Sequence, residues 1–148
     1  TLGRNAIHMT ERFRQTPGVV LLATGAAWEG FDFPGDCVSL LVIPRLPFAY
    51  PDALKEKERE EYASLRQFIQ NVAVPEMQIK LRQGFGRAIR TESDTCVIAI
   101  LDERAGRGHR YNKAMLDALP EMRVTGSSRA VTKFLRERKP ESYFEVCA

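Results

Sequence analysis

Three short, almost unbroken apolar runs set the strongest limit on what this chain can fold into. Residues 19–24, Cys37–Ile43 and Thr95–Leu101 each have the length of a strand, and none alternates apolar with polar residues. Alternation marks a sheet with one wet face; continuous apolar character marks strands covered on both faces, as in a parallel sheet. The stretches between the runs read as helices. Residues 4–16 place Ile7, Met9 and Phe13 on a half-buried face, and Pro17-Gly18 ends them. Residues 52–71 form a second helix, whose "LKEKEREEY" is a solvated face. Pro75 takes the first position of a third, running to about Arg90. Residues 109–118 and 127–138 complete the set, the last capped by Ser127 or Ser128. Strands alternating with helices predict an α/β fold with a parallel sheet. Ligands of such sheets lie beyond the carboxyl ends of the strands. That rule marks residues 24–32, 44–50 and 102–108.

The chain's 148 residues predict a single domain, 1–148, large enough to bury a core. With 44% apolar and 28% charged residues it reads as soluble and globular, with no run long enough to span a bilayer and no export signal. The net charge of +3 is too mild to predict nucleic-acid binding by itself. Cys37, Cys96 and Cys147 are widely spaced and odd in number, which fits a reduced, intracellular protein. His8 and His109 lack ligand-like neighbours and the spacings of zinc sites are absent, so no metal site is predicted.

Two glycine-rich stretches need testing against nucleotide-binding patterns. Gly25 and Gly30 have the spacing of a phosphate loop, but Phe31 and Asp32 stand where Lys and Ser/Thr belong. Gly84-Phe85-Gly86 begins a dinucleotide fingerprint that Ile89 breaks, and it lies inside a helix rather than after a strand. Both readings fail, so the sequence contains no nucleotide cradle of its own. The helix that holds Gly84 says more. At about 100° per residue, Lys80, Gln83, Arg87 and Arg90 form one stripe, while Met77, Leu81, Phe85, Ala88 and Ile89 form the opposite one; Ile79 sits with the polar group. Gly84 and Gly86 each cost a helix roughly 1 kcal/mol relative to alanine, and close approach of another backbone is the usual compensation. Two arginines beside a glutamine suit forked recognition of phosphate oxygens, or else simply make a basic surface face.

Taken together, "TGAAWEGFDFPGD" and the later "QGFGRAIR" resemble motifs V and VI of superfamily-2 helicases. The W-E-G-x-D form, the "LPF" loop, the Q-x-x-G-R-x-I-R ending and "LDERAG" are similar to the DinG/XPD-type branch, over roughly residues 11–138. The resemblance implies a RecA-like (P-loop NTPase-type) second motor domain that begins partway into the fold. In that family two RecA-like domains clamp ATP and Mg2+, and the N-terminal one, absent here, carries the Walker loop and most magnesium contacts. Any iron–sulfur cluster also belongs to that other half. Implied partners are the N-terminal RecA-like domain of the same protein and single-stranded DNA. Movement would run 5′ to 3′ and the location would be a bacterial or archaeal cytoplasm.

By the same resemblance Arg87 and Arg90 are the catalytic arginines that approach the γ-phosphate across the cleft. Gln83, Gly86, Gly30 and Asp32 are the ATP-side residues, and Thr24, Gly25 and Trp28 the DNA-side residues. Asp32 either holds an arginine in the open state or forms an Asx turn before Pro34-Gly35. Trp28 either stacks on a base or braces the turn, and Phe48 and Tyr50 share that ambiguity. Arg104, Arg107 and Arg110 either track phosphates past the third strand, or make a solvated turn, or, at Arg104, form an ion pair with Asp102. Two other functions keep the fold: a non-catalytic nucleic-acid-binding module, and a protein-interaction scaffold using the charged 52–71 helix.

Overall fold

The computed structural model describes residues 2–23, 33, 36–91 and 93–145, with the side chains of residues 2–6 excepted. In chain order the elements are α1 (Leu2–Gln15), β1 (Leu40–Ile43), α2 (Ala53–Glu60), α3 (Leu65–Phe68), a π-helical turn (Ile69–Ala73), α4 (Val74–Ala88), β2 (Val97–Ile100), a 3-10 turn (Glu103–Ala105), α5 (Asn112–Asp117), α6 (Ser128–Arg138) and α7 (Glu141–Glu145). This is the α/β class that the sequence predicts. The Val97 N–H donates to the Ser39 carbonyl at 2.9 Å and the Leu101 N–H to that of Ile43 at 3.0 Å. The two bonds advance together, so β1 and β2 pair in parallel.

The chain divides into two compact units. The first takes in the described residues of Thr1–Leu41, Gly84–Ala99 and Glu121–Ala148. Its α1 ends at Pro17-Gly18 as expected, with Gly18 supplying a left-handed turn at φ 69°. The Phe13 ring meets Phe33 edge to face at 5.2 Å. Lys139, whose side chain is 3% exposed, places its ammonium 2.6 Å from Asp36 Oδ2, while Asp36 Oδ1 accepts from the Thr95 N–H at 2.8 Å. One carboxylate thus ties the approach to β1 to the approach to β2 and to the end of α6. Ser127 is the α6 cap, accepting from the Ala130 N–H.

Here the first predicted strand departs from expectation. Residues 19–23 join no sheet among the described residues, and Val20 and Leu22 are 84% and 89% exposed. Apolar content is only half of what a strand requires; a neighbour's N–H and C=O groups must complete the ladder. Nor is β1 covered on both faces: Leu40 and Val42 are exposed and Ile43 is buried.

The second unit comprises Val42–Gln83 and Ile100–Pro120. Met77 and Leu81, both fully buried, join Ile43, Leu46, Met115 and Ala118 in its core. Two side chains of α4 reach carbonyls at the end of α5: Gln78 Nε2 to Ala114 O at 2.8 Å and Arg82 Nε to Ala118 O at 3.2 Å. They satisfy acceptors that a helix leaves open at its C-terminus.

The helix expected over residues 52–71 is broken. Asp52 caps α2 by accepting from the Lys55 N–H, α2 buries no residue, and Ser64 caps a fresh start at α3. Pro75 also behaves differently from expectation, since the helical run passes through it from Leu65 to Ala88. Proline lacks an N–H and crowds the carbonyl of the preceding turn. The π-helical turn absorbs both effects: the Val74 N–H donates to Ile69 O, five residues back, so the carbonyls before Pro75 leave α register.

Candidate functional site

The predicted faces of α4 are the observed ones. Met77, Leu81 and Ala88 are buried and Phe85 and Ile89 half-buried, while Gln83 and Arg90 are exposed and Arg87 is half-buried. Ile79 is exposed, in keeping with its place among the polar residues. Gln83 belongs to the second unit; Gly86, Arg87 and Arg90 belong to the first.

The two glycines differ. Gly84 is buried, but among the described residues a Cβ built at Gly86 meets nothing within 4 Å. Among the described residues, close approach of another backbone does not account for Gly86. We expect Gly86→Ala to stabilise the isolated domain by about 0.4–1 kcal/mol, read as a higher denaturant midpoint.

Beyond α4 the chain turns on a hydrogen-bonded knot. The last i→i−4 bond runs from the Ile89 N–H to Phe85 O at 3.1 Å. The N–H groups of Arg90 and Thr91 both donate to Asp94 Oδ2, at 2.8 and 3.0 Å. The Thr91 hydroxyl donates to Asp94 Oδ1 at 2.9 Å and contacts the Ser93 hydroxyl at 2.8 Å. The Arg90 backbone N–H, with the Thr91 hydroxyl and N–H behind it, holds the Asp94 carboxyl below its usual range. The reading from motifs missed this residue, although Thr91-x-x-Asp94 at a helix end is a visible turn pattern.

In the second unit Asp102 is a buried hub. Its carboxylate accepts from the Leu46 N–H at 2.9 Å, from the Arg104 N–H at 3.0 Å, and from the Arg104 guanidinium at 2.9 Å through Nε and 2.7 Å through Nη2. The loop after β1 is thereby fastened to the turn after β2. The Arg104 guanidinium, then the Leu46 and Arg104 backbone donors, hold the Asp102 carboxyl far below the ordinary carboxylate range, against the opposing effect of burial. Arg104 also lies over the rings of Phe48 and Tyr111, at 5.4 and 5.9 Å, and those rings are 4.8 Å apart. Of the alternatives for this turn, the Asp102–Arg104 ion pair forms, and Phe48 packs against protein. Tyr50 and Arg107 are exposed, and Arg110 lies over Tyr111.

Burial pushes the Cys96 thiol up to about 11 and raises that of Cys37, so neither is a reactive thiolate at neutral pH. A cavity of about 690 Å³ in the second unit is lined by Arg66, Gln70, Gln78, Arg110 and Lys113 among others. Arg110, weighed above as a phosphate contact, lines it; Gln83, Gly86, Arg87 and Arg90 do not. Thr24, Gly25, Trp28, Gly30 and Asp32 lie outside the described residues.

The profile of the helicase C-terminal domain matches residues 4–122, a span that includes both the W-E-G-F-D and the Q-G-F-G-R stretches. The chain belongs to the helicase C-terminal domain family. This helicase C-terminal domain is 36% identical over 132 residues to "ATP-dependent DNA helicase YoaA" of Haemophilus influenzae, covering 88% of the chain and 20% of the relative. It is 37% identical over 119 residues to "3'-5' exonuclease DinG" of Bacillus subtilis, covering 79% and 13%. With "ATP-dependent DNA helicase DinG" of Photobacterium profundum it shares 40% over 104 residues, covering 68% and 15%. The domain thus spans a fifth or less of the length of these curated relatives. No solved structure matches the chain. No helix among the described residues is long and apolar enough to cross a membrane.

Proposed function

We propose that this helicase C-terminal domain is the second motor domain of an ATP-dependent DNA helicase. It works with an N-terminal RecA-like domain of the same protein, takes ATP with Mg2+, and moves on single-stranded DNA in the bacterial cytoplasm. The observation that carries the reading is the polar side of α4 and its end. Gln83, Arg87 and Arg90 follow one another at helical spacing in a sequence that has no phosphate loop. A nucleotide bound elsewhere would gain two guanidiniums from this domain without being held by it.

These residues fit a polyphosphate. An exposed guanidinium at Arg90 and a half-buried one at Arg87 offer forked donors to γ-phosphate oxygens. Gln83, in the second unit, is an exposed amide. Mg2+ supplies neutralisation of phosphate charge. By the family resemblance, its ligands are assigned mainly to the other motor domain. Gly30 and Asp32 act on the nucleotide side, and Thr24, Gly25 and Trp28 on the strand side. Gly86 keeps the helix surface beside Arg87 free of a side chain, which favours close approach of the nucleotide. In the full-length protein, Gly86→Ala is therefore expected to slow turnover even as it stabilises the isolated domain; unchanged turnover would count against that role.

Testing is direct. The 148-residue chain alone should show no magnesium-dependent ATP turnover, while the full-length protein should hydrolyse ATP when DNA is present. Turnover by the isolated chain would sink the reading, because catalysis would then not need a second domain.

A further inference from the structure

We propose that Asp94 is a positioning residue for Arg90: its carboxylate anchors the backbone from which the Arg90 guanidinium reaches the nucleotide. The inference rests on the role given to Arg90 above and adds a residue to it.

Arg90 stands two residues beyond the end of α4 at Ala88. A residue so placed has lost the hydrogen-bond ladder that holds a helical side chain in direction, and such ends fray. Arg87 does not face this problem, since it lies inside α4. At Arg90 the N–H goes forward to Asp94 Oδ2 at 2.8 Å rather than back along the helix, and the Thr91 N–H joins it on the same oxygen at 3.0 Å. The second carboxylate oxygen is fixed by the Thr91 hydroxyl at 2.9 Å. Both oxygens are thus committed to residues 90 and 91, and the Arg90 Cα is held between the last helical bond and the Asp94 clamp. Small rotations there are magnified at the tip of a long side chain. Misplacement of a catalytic group by 1 Å can cost on the order of 10²-fold in rate.

The test uses the full-length protein and compares Asp94→Ala, Asp94→Asn and Arg90→Ala. Asp94→Ala should lower kcat for ATP roughly 10–100-fold, with KM for ATP and the thermal midpoint little changed. Asparagine keeps an oxygen that accepts from both N–H groups, so Asp94→Asn should recover most of the rate. Wild-type kcat in Asp94→Ala, beside an inactive Arg90→Ala, would overturn the positioning role and leave the motor reading standing. An Asp94→Asn variant as slow as Asp94→Ala would also overturn it, because the carboxylate charge rather than the backbone anchor would then matter. Full turnover in Arg90→Ala would remove the role of Arg90 itself and this inference with it.

Discussion

Replacing Arg90 by alanine in the full-length protein should cut ATP turnover by roughly 10³–10⁵-fold, while nucleotide binding stays largely intact. At 1.36 kcal/mol per tenfold, that is about 4–7 kcal/mol of barrier. Phosphoryl transfer asks little covalent chemistry of the protein; the catalytic effect lies in placing positive charge where negative charge develops. An arginine on a second domain contributes only when the domains close, which makes hydrolysis conditional on the movement that advances the strand. The Arg90 side chain is exposed and α4 packs through Met77, Leu81 and Ala88, and the thermal midpoint of Arg90→Ala, read beside turnover, separates a folding effect from a catalytic one. Arg90→Lys should recover little, since an ammonium restores the charge without the planar fork. Steady-state turnover, measured beside nucleotide affinity, decides the matter. Wild-type turnover in Arg90→Ala would favour a non-catalytic nucleic-acid-binding module instead.

The largest effect on stability is expected at Asp102. Asp102→Ala strands the buried Leu46 N–H and releases the Arg104 guanidinium from its two-point contact. Leaving a buried donor unmet and losing a charged hydrogen bond together cost about 2–4 kcal/mol. For a chain of this size that corresponds to a fall in Tm of roughly 5–15 °C. The effect should depend on pH in a definite direction. The Arg104 guanidinium above all depresses the folded-state pKa of Asp102 below its unfolded value. The stabilisation is therefore complete above the unfolded carboxylate value of about 4, and is lost as pH falls from there through the folded value. Thermal midpoints of wild type and Asp102→Ala should lie far apart at pH 7 and draw together on acidification below about pH 4. A gap that stays constant to pH 2 would mean that the ion pair contributes nothing.

What the sequence disclosed follows the range over which each feature is determined. The two faces of α4 were legible because helical periodicity is local: Met77, Leu81 and Ala88 can be sorted from Gln83 and Arg90 without knowing the fold. The cap at Ser127 was legible for the same reason. A strand is a relation between two segments, so the composition of residues 19–23 promised one that no described neighbour completes. At Pro75 the local rule favoured a helix start, but burial of Val72, Met77 and Leu81 on either side carried the helix through. The Asp102–Leu46 bond joins residues 56 positions apart and leaves no trace in either segment. Asp94 lies four residues from Arg90, so its bonds to residues 90 and 91 are of the local kind that a turn pattern discloses.

The π-helical turn also bears on which changes of chain length this protein can survive. Ile69–Ala73 contains one residue more than an α-helical turn of the same rise would use. A deletion there would draw the turn to the narrower winding and keep everything downstream of Pro75 at its azimuth, at the cost of returning the Pro75 ring to the carbonyl it crowds. The same deletion between Glu76 and Leu81 would swing one half of the buried stripe about 100° away from the other. The segment thus works as a splice point, where drift in length upstream is decoupled from the arginines downstream.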